Sequence, residues 1–262
     1  MSIETENEDK HMERYFEINE LGHNIRCKLY CQDLKTIRRV VIFCHGFGGH
    51  KDNGAAEKFA ERLISKYKGT AMVTFNWPCH GDDVKKKLTL SDCHTYLTLV
   101  VEHVKQRYQT EDLYCYATSF GGWLTLKHIM ANGNPFRKIA LRCPALNMYE
   151  AITTTIMTAD NLEALQKGRD VPVGFDRKVP VSPAFLEELR SNDILQLDFL
   201  DYAEDLLIIH GTADEIIPYD VSYAFADNNL IEFISVEGAD HRFRDPKKME
   251  VAMKAILEFF EL

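Results

Sequence analysis

The stretch Tyr116-Ala117-Thr118-Ser119-Phe120-Gly121-Gly122 sets a serine between a short apolar run, residues 112–116, and residues 123–130, whose apolar side chains recur at helical spacing. A serine at a strand-to-helix turn, with small residues two positions away on either side, is the nucleophile-elbow pattern. The tightness of such a turn predicts that residues 117 and 121 approach each other, so that only small side chains fit. Ala117 stands where glycine is more usual. The turn would lift the Ser119 hydroxyl clear of the backbone. It would also leave the N–H of Phe120 and its neighbours, at a new helix N-terminus, free to bind a negative oxygen.

A serine hydroxyl is a poor nucleophile until a base takes its proton and a carboxylate holds that base in one tautomer. His241 in Gly238-Ala239-Asp240-His241-Arg242-Phe243 is the candidate base. Asp214 in His210-Gly211-Thr212-Ala213-Asp214-Glu215-Ile216-Ile217-Pro218 is the candidate acid. Glu215 and Asp240 are its rivals; Asp240 adjoins the base in sequence and is expected to cap the following turn instead. His45 and His210 sit at strand ends and read as structural hydrogen-bonders. Cys79-His80-Gly81-Asp82-Asp83 holds metal-ligand residue types, but no second cluster has suitable spacing, so no metal is expected. Gly46, Gly48 and Gly49 follow a strand without the Lys-Ser/Thr of a phosphate loop, and no cofactor is expected.

These residues need a scaffold that brings them together. Residues 15–18 and 25–30 flank a polar turn like an antiparallel hairpin. The continuous apolar run at 39–44 reads as a buried strand, and 71–75, 138–142, 205–210 and 229–236 read as further strands. Between them lie helical patterns at 53–66, from an N-cap at Ser91 through Tyr108, after Trp123, after Pro218 at a first helical position, and at 249–259. Strand and helix alternate from residue 39 onward, which implies an α/β protein: a doubly wound, mostly parallel sheet with helices on both faces. In such sheets chemistry sits beyond the carboxyl ends of the strands, where each motif above falls. Trp77 and Trp123 read as core.

About sixty residues separate the strand ending at Arg142 from the one beginning at Asp205, more than one crossover helix needs. The expectation is one domain, 1–262, with a lid inserted at 146–200. Ala151, Ile152, Ile156 and Met157 have helical spacing. Val171, Val173, Phe175, Val179 and Val181 alternate around residues 174–178 like a hairpin, and Ser182-Pro183 caps and opens a further helix. Such a lid would wall an apolar pocket for the acyl or aromatic part of a substrate; the alternative is that its apolar residues only pack it onto the body.

A chain of 262 residues, 45% of them hydrophobic, can bury such a core. Its net charge of −9, with no basic run longer than Lys85-Lys86-Lys87, argues against a nucleic acid or an anionic membrane as partner. Residues 1–10 are polar and acidic, without the apolar stretch of a signal peptide, and no run is long enough to span a membrane. Seven scattered cysteines fit reduced thiols in a cytoplasmic protein better than a disulfide framework.

The order Ser119…Asp214…His241, with His45-Gly46-Phe47-Gly48-Gly49 after an earlier strand, resembles the α/β-hydrolase superfamily. By that resemblance Phe47 and Phe120 would supply the backbone N–H groups of the oxyanion hole. Residues 75–82 are similar to the superfamily's Asp-x-x-Gly-His-Gly-x-Ser loop, departing from it at Asn76 and Pro78, and at Asp83 beyond them. Within the superfamily the motifs look most like bacterial cinnamoyl/feruloyl esterases, and then the serine aminopeptidase and monoacylglycerol lipase group. The resemblance implies a cofactor-independent serine hydrolase acting on a small-molecule ester. An aminopeptidase-type peptidase and a thioesterase or C–C hydrolase would use the same three residues. A binding module on an inactive scaffold is the non-enzymatic alternative, against which the complete set of three speaks.

Overall fold

The computed structural model describes residues 12–262; the acidic segment 1–10 lies outside them. β1 (Met12–Glu20) and β2 (His23–Cys31) form the expected hairpin. They run further than the pattern suggested, because Leu21 and Gly22 both take positive φ and close a two-residue turn. The chain continues through β3 (Arg39–Cys44), α1 (Gly54–Lys66), β4 (Thr70–Phe75), α2 (Leu90–Tyr108), β5 (Leu113–Thr118), α3 (Phe120–Asn132) and β6 (Lys138–Arg142). An inserted segment follows. Its elements are α4 (Met148–Glu150), which runs into a π-helical turn Ala151–Ile156, then α5 (Ala159–Gln166), the short strands β7 (Val171–Val173) and β8 (Val179–Val181), and α6 (Pro183–Arg190). A 3₁₀ turn, Leu200–Asp205, leads into β9 (Leu206–Gly211), α7 (Tyr219–Asn228), β10 (Glu232–Val236) and α8 (Pro246–Phe259).

Eight strands make one sheet in the order β1-β2-β4-β3-β5-β6-β9-β10, and β7-β8 form a separate antiparallel pair. The sheet is antiparallel from β1 to β4 and parallel from there onward. Its central strands are buried on both faces, which is why they read as unbroken apolar runs. Val40, Ile42 and Cys44 of β3, with Leu113, Cys115 and Ala117 of β5, face one core shared with α2, α3 and α7. Val41, Phe43, Tyr114 and Tyr116 face a second core with α1 and α8. Trp77 and Trp123 are fully buried in the first core. After β3 the chain adds β4 on one side and later β5 on the other. The strand order therefore reverses between β3 and β5, and a crevice opens beyond their carboxyl ends.

Two local expectations are corrected, and one helix was not expected. The N-cap of α2 is Thr89, whose side chain accepts from Asp92 N–H, while Ser91 lies inside the helix. Pro218 occupies the N-cap of α7 rather than its first turn. Helix α5 had no expectation at all: it is short and largely polar, capped by a Thr158–Asn161 box.

Candidate active site

Ser119 leaves β5 at φ 51° and ψ −120°, a backbone conformation that non-glycine residues rarely adopt. It is pinned on both sides. Ser119 N–H donates to the Arg142 carbonyl at 3.1 Å, and its own carbonyl accepts from Ala145 N–H at 3.0 Å and Trp123 N–H at 3.2 Å. The need for a small residue at 121 has a different cause from the expected approach to residue 117. A Cβ at Gly121 would overlap the carbonyls of Cys44 and His45, where the β3 loop presses on the first turn of α3. A Cβ at Gly46 would in turn meet Ser119 Cβ at 3.1 Å. The elbow and the β3 loop are thus packed backbone to backbone.

Asp214 and His241 arrive from the loops after β9 and β10. His241 Nε2 lies 3.1 Å from Ser119 Oγ, and His241 Nδ1 lies 2.8 Å from Asp214 Oδ2. Asp214 Oδ1 accepts from the N–H groups of Ile216 and Ile217 at 2.9 and 2.8 Å, and His210 Nε2 stands 3.1 Å from Oδ2. Burial pushes the Asp214 carboxyl up, but hydrogen bonds from His210 and His241 outweigh it and hold the group well below the usual carboxylate range. An ionised carboxylate only accepts hydrogen bonds, so His241 Nδ1 must carry a proton. The lone pair of a neutral imidazole is then on Nε2, facing the serine hydroxyl. His210 Nε2 lies between Asp214 Oδ2 and the Ile217 carbonyl, two acceptors, so it too must donate.

The rival acids are elsewhere. Asp240 accepts from Arg244 N–H at 2.8 Å and pairs with the Arg244 guanidinium, closing the turn after His241. Glu215 accepts from the backbone N–H of His241 at 3.2 Å, away from the ring.

Phe47, in the loop after β3, and Phe120, first residue of α3, have N–H groups with no acceptor among the described residues. Their rings meet edge to face at 5.7 Å, and both pack on His80. His80 is buried; its Nδ1 donates to the Pro78 carbonyl at 2.8 Å, and Nε2 has no partner. Burial pushes the imidazole down to about 4. Beside it, His45 Nδ1 donates to the Gly46 carbonyl and Nε2 accepts from Trp77 N–H at 3.3 Å, so both histidines serve as neutral braces of the β3 loop.

The departures at residues 76 and 83 are locally compensated. Asn76 Oδ1 accepts from Lys51 N–H at 2.7 Å and its amide donates to Asp82. Asp83 accepts from Cys79 N–H, Lys85 N–H and the Tyr96 hydroxyl, so it organises the loop by itself. Among the described residues Cys143, His210 and Asp214 could together present metal ligands. Asp214 is already saturated by four hydrogen-bond donors, and burial pushes the Cys143 thiol well up, so it stays protonated.

A cleft of ≈ 290 Å³ opens over Ser119, lined by the β3 loop, Thr118, His241 and three arginines, Arg142, Arg177 and Arg242. Sequence reasoning missed these arginines; the one available signal was a cation ending an otherwise apolar strand at Arg142. The inserted segment contributes Asp176 and Arg177 to this cleft, not the apolar wall expected of it. Its apolar residues Ile152, Val173, Val181, Phe185 and Leu189 are buried in the first core.

No curated protein matches the chain by sequence. Est1E from Butyrivibrio proteoclasticus, solved with ferulic acid bound, is similar in structure with a TM-score of 0.77 at 19% identity, covering 94% of this chain and 98% of that one. A soluble variant of monoglyceride lipase from Saccharomyces cerevisiae, solved with a substrate analogue, gives 0.75 at 15% identity, covering 99% and 98%. Alpha/beta hydrolase domain-containing protein 10 from mouse gives 0.67 at 16%, covering 95% and 98%. At these identities the likeness speaks for the fold, an α/β-hydrolase sheet. The model of the prolyl oligopeptidase family matches residues 62–262, which include the elbow and the loops carrying Asp214 and His241. The chain therefore belongs to the prolyl oligopeptidase family and is an α/β-hydrolase-fold serine hydrolase.

Proposed function

We propose that this chain is a carboxylic-ester hydrolase working through an acyl-enzyme, with Ser119 as nucleophile, His241 as base and Asp214 as its orienting acid. The observation that carries this reading is the chain of contacts from Ser119 Oγ to His241 Nε2 at 3.1 Å and from His241 Nδ1 to Asp214 at 2.8 Å. Ser119 Oγ attacks the ester carbonyl as His241 takes its proton. The Phe47 and Phe120 N–H groups bind the oxyanion, and His241 returns the proton to the leaving alcohol. Water repeats the sequence on the acyl-serine and releases the acid. No step calls for a cofactor.

The cleft volume, at the lower end of the range for ligand pockets, suits a small ester. An aromatic ester of the hydroxycinnamoyl type is the finer proposal, supported by the motifs and by the likeness to Est1E. The insertion 146–200 acts in this reading as a cap whose β7–β8 turn forms the rim; the Arg177 carbonyl is the nearest atom a Cβ at Gly48 would meet. Six buried cysteines and one half-buried, all unpaired, favour a reducing compartment such as the cytoplasm. Among the described residues no helix is long and apolar enough to cross a membrane.

The family's description favours a second reading, a serine peptidase. A peptidase that holds a substrate's free amino group needs an uncommitted carboxylate near the serine. Asp176 is paired with Arg242 at 2.7 Å, and Glu215 with the His241 backbone and Arg244, which weighs against it.

Labelling with a fluorophosphonate probe, followed by p-nitrophenyl esters, methyl hydroxycinnamates and aminoacyl p-nitroanilides, tests both readings. Ser119→Ala should abolish labelling and ester hydrolysis while leaving the melting curve close to that of the parent. Retained hydrolysis in that variant would move the nucleophile elsewhere; anilide cleavage without ester cleavage would favour the peptidase.

A further inference from the structure

The acidity of the chain as a whole, −9, makes its cleft unusual: beside His241 stand three arginines and one carboxylate. Arg242 and Asp176 neutralise each other. Arg142 and Arg177 have no carboxylate partner among the described residues.

Arg142 is the more telling of the two. It ends β6, in register with Thr118 and directly beside the elbow. Its side chain lies over the Phe243 ring at 5.2 Å, and Nη1 donates to the Arg242 carbonyl at a long 3.3 Å. The residue is only 9% exposed, and its Nε is buried with no acceptor. Nη1 also reaches Met249 Sδ at 3.6 Å, but among the described residues the guanidinium has no counter-charge; burying it so is costly, and its remaining donors suit an acceptor that arrives with the substrate. Arg177, exposed on the β7–β8 turn, lines the same cleft. Arg142, buried, and Arg177, exposed at the rim, give the cleft positive charge without an ion-pair partner among the described residues, a field that the acidic chain as a whole does not share.

We propose that the ester taken by this cleft carries an anionic group, a carboxylate or a phosphate, which pairs with Arg142 and Arg177 while the ester carbonyl faces Ser119. The inference rests on the ester-hydrolase reading above and narrows its substrate class. Arg142 and Arg177 bind the charge and take no part in bond making. Peptide substrates with a free amino group would be repelled from the same wall.

The test uses pairs of esters that differ in one charge. On the acyl side the pair is the 4-nitrophenyl monoester of glutaric acid and its methyl-capped form. On the alcohol side it is 4-acetoxybenzoate and methyl 4-acetoxybenzoate, with 4-acetoxyphenyl phosphate as the phosphate arm. The anionic member of at least one pair should show kcat/KM at least about tenfold above its neutral partner, the worth of a charge-assisted hydrogen bond. That ratio should fall toward one in Arg142→Gln and Arg177→Gln and with added salt. A merely structural Arg142, bracing the His241 loop, would lower both members of a pair together and leave the ratio unchanged. Equal or better turnover of the neutral member in every pair, or a preference that survives both substitutions, overturns the proposal.

Failure to hydrolyse any ester would count against the ester-hydrolase reading, and direct binding then decides the charge question. Titration calorimetry of the Ser119→Ala protein with 4-acetamidobenzoate, its methyl ester and inorganic phosphate should show binding of an anion that Arg142→Gln weakens. No anion-selective binding overturns the proposal.

Discussion

Asp214 carries more structure than any other polar residue of the site. Four donors converge on it: two backbone N–H groups on one oxygen and two imidazoles on the other. Replacing it by asparagine puts an amide N–H where a donor is already present and leaves His241 free to take the wrong tautomer. Asp214→Asn is expected to lower kcat by about 10⁴, as the equivalent change does in a serine protease. Asp240→Asn touches only the Arg244 turn and should change kcat by less than about threefold, in line with the small worth of exposed ion pairs. Steady-state kinetics of the two variants on one ester settles the ranking, and the reverse order would reassign the acid. Arg142, on the neighbouring strand, shows the same economy in another form: a single side chain faces the cleft, the His241 loop and α8 at once.

Elements position these residues by contact between their ends. The first turn of α3 is pressed against the β3 loop at Gly121, so the nucleophile candidate and the oxyanion-donor candidates move as one unit. Beyond its share of the core and the Asp176–Arg242 pair, the inserted segment meets the body near the elbow and at the start of α2. Phe185 of α6 meets Phe120 at 6.5 Å, and Glu188 accepts from Leu90 N–H at the start of α2, at 2.9 Å. The start of α2 therefore has two caps, Thr89 from its own chain and Glu188 from the insertion, and Ser91 contributes none. Thr89→Ala is expected to cost about 1 kcal/mol in urea unfolding, whereas Ser91→Ala should stay within about 0.5 kcal/mol. A larger loss at Ser91 would contradict the assigned cap.

At the scale of the molecule, several histidines are buried neutral. Burial pushes His80 down to about 4, against the opposing hydrogen bond to Pro78, and pushes His128 down to about 4, with His94 adding to the effect. Burial likewise holds His45 well below its ordinary value. For each group the folded value lies below the unfolded one, near 6.5, so the unfolded chain binds more protons between pH 6.5 and 4. The stability these groups contribute is complete above pH 6.5 and is lost as pH falls toward 4. At His80, with the ring fully enclosed, the loss is on the order of 3 kcal/mol. The urea midpoint should therefore be level above pH 7 and drop steeply between pH 6.5 and 4. His128→Leu, on α3 away from the cleft, should flatten part of that slope. A midpoint that does not move between pH 7 and 4.5 would show that these rings are not held neutral.

The alternation of elements and the loops on which the chemistry falls are legible in the sequence alone. Central strands buried on both faces must be apolar throughout, and a tight elbow must be flanked by small residues; both are local requirements, so β3 and β6 were bounded to the residue. The order of Ser119, Asp214 and His241 was readable because each follows a strand, buried at β5 and β9 and half-exposed at the edge strand β10, and a parallel sheet brings such loops to one edge. Local chemistry was weaker evidence where two solutions were nearly equal. Thr89 and Ser91 are both good caps, and the short polar α5 has little amphipathic pattern to read. Why residue 121 must be glycine is visible only in three dimensions, since the atoms that crowd it belong to Cys44 and His45, some seventy-six residues away in the chain. So is the character of the cleft. Arg142, Arg177 and Arg242 stand on a strand end, a hairpin turn and a loop, and no pattern of spacing links them. Their charges meet because the sheet, the insertion and the loop after β10 converge on Ser119, while the apolar residues of the insertion turn away to complete the core.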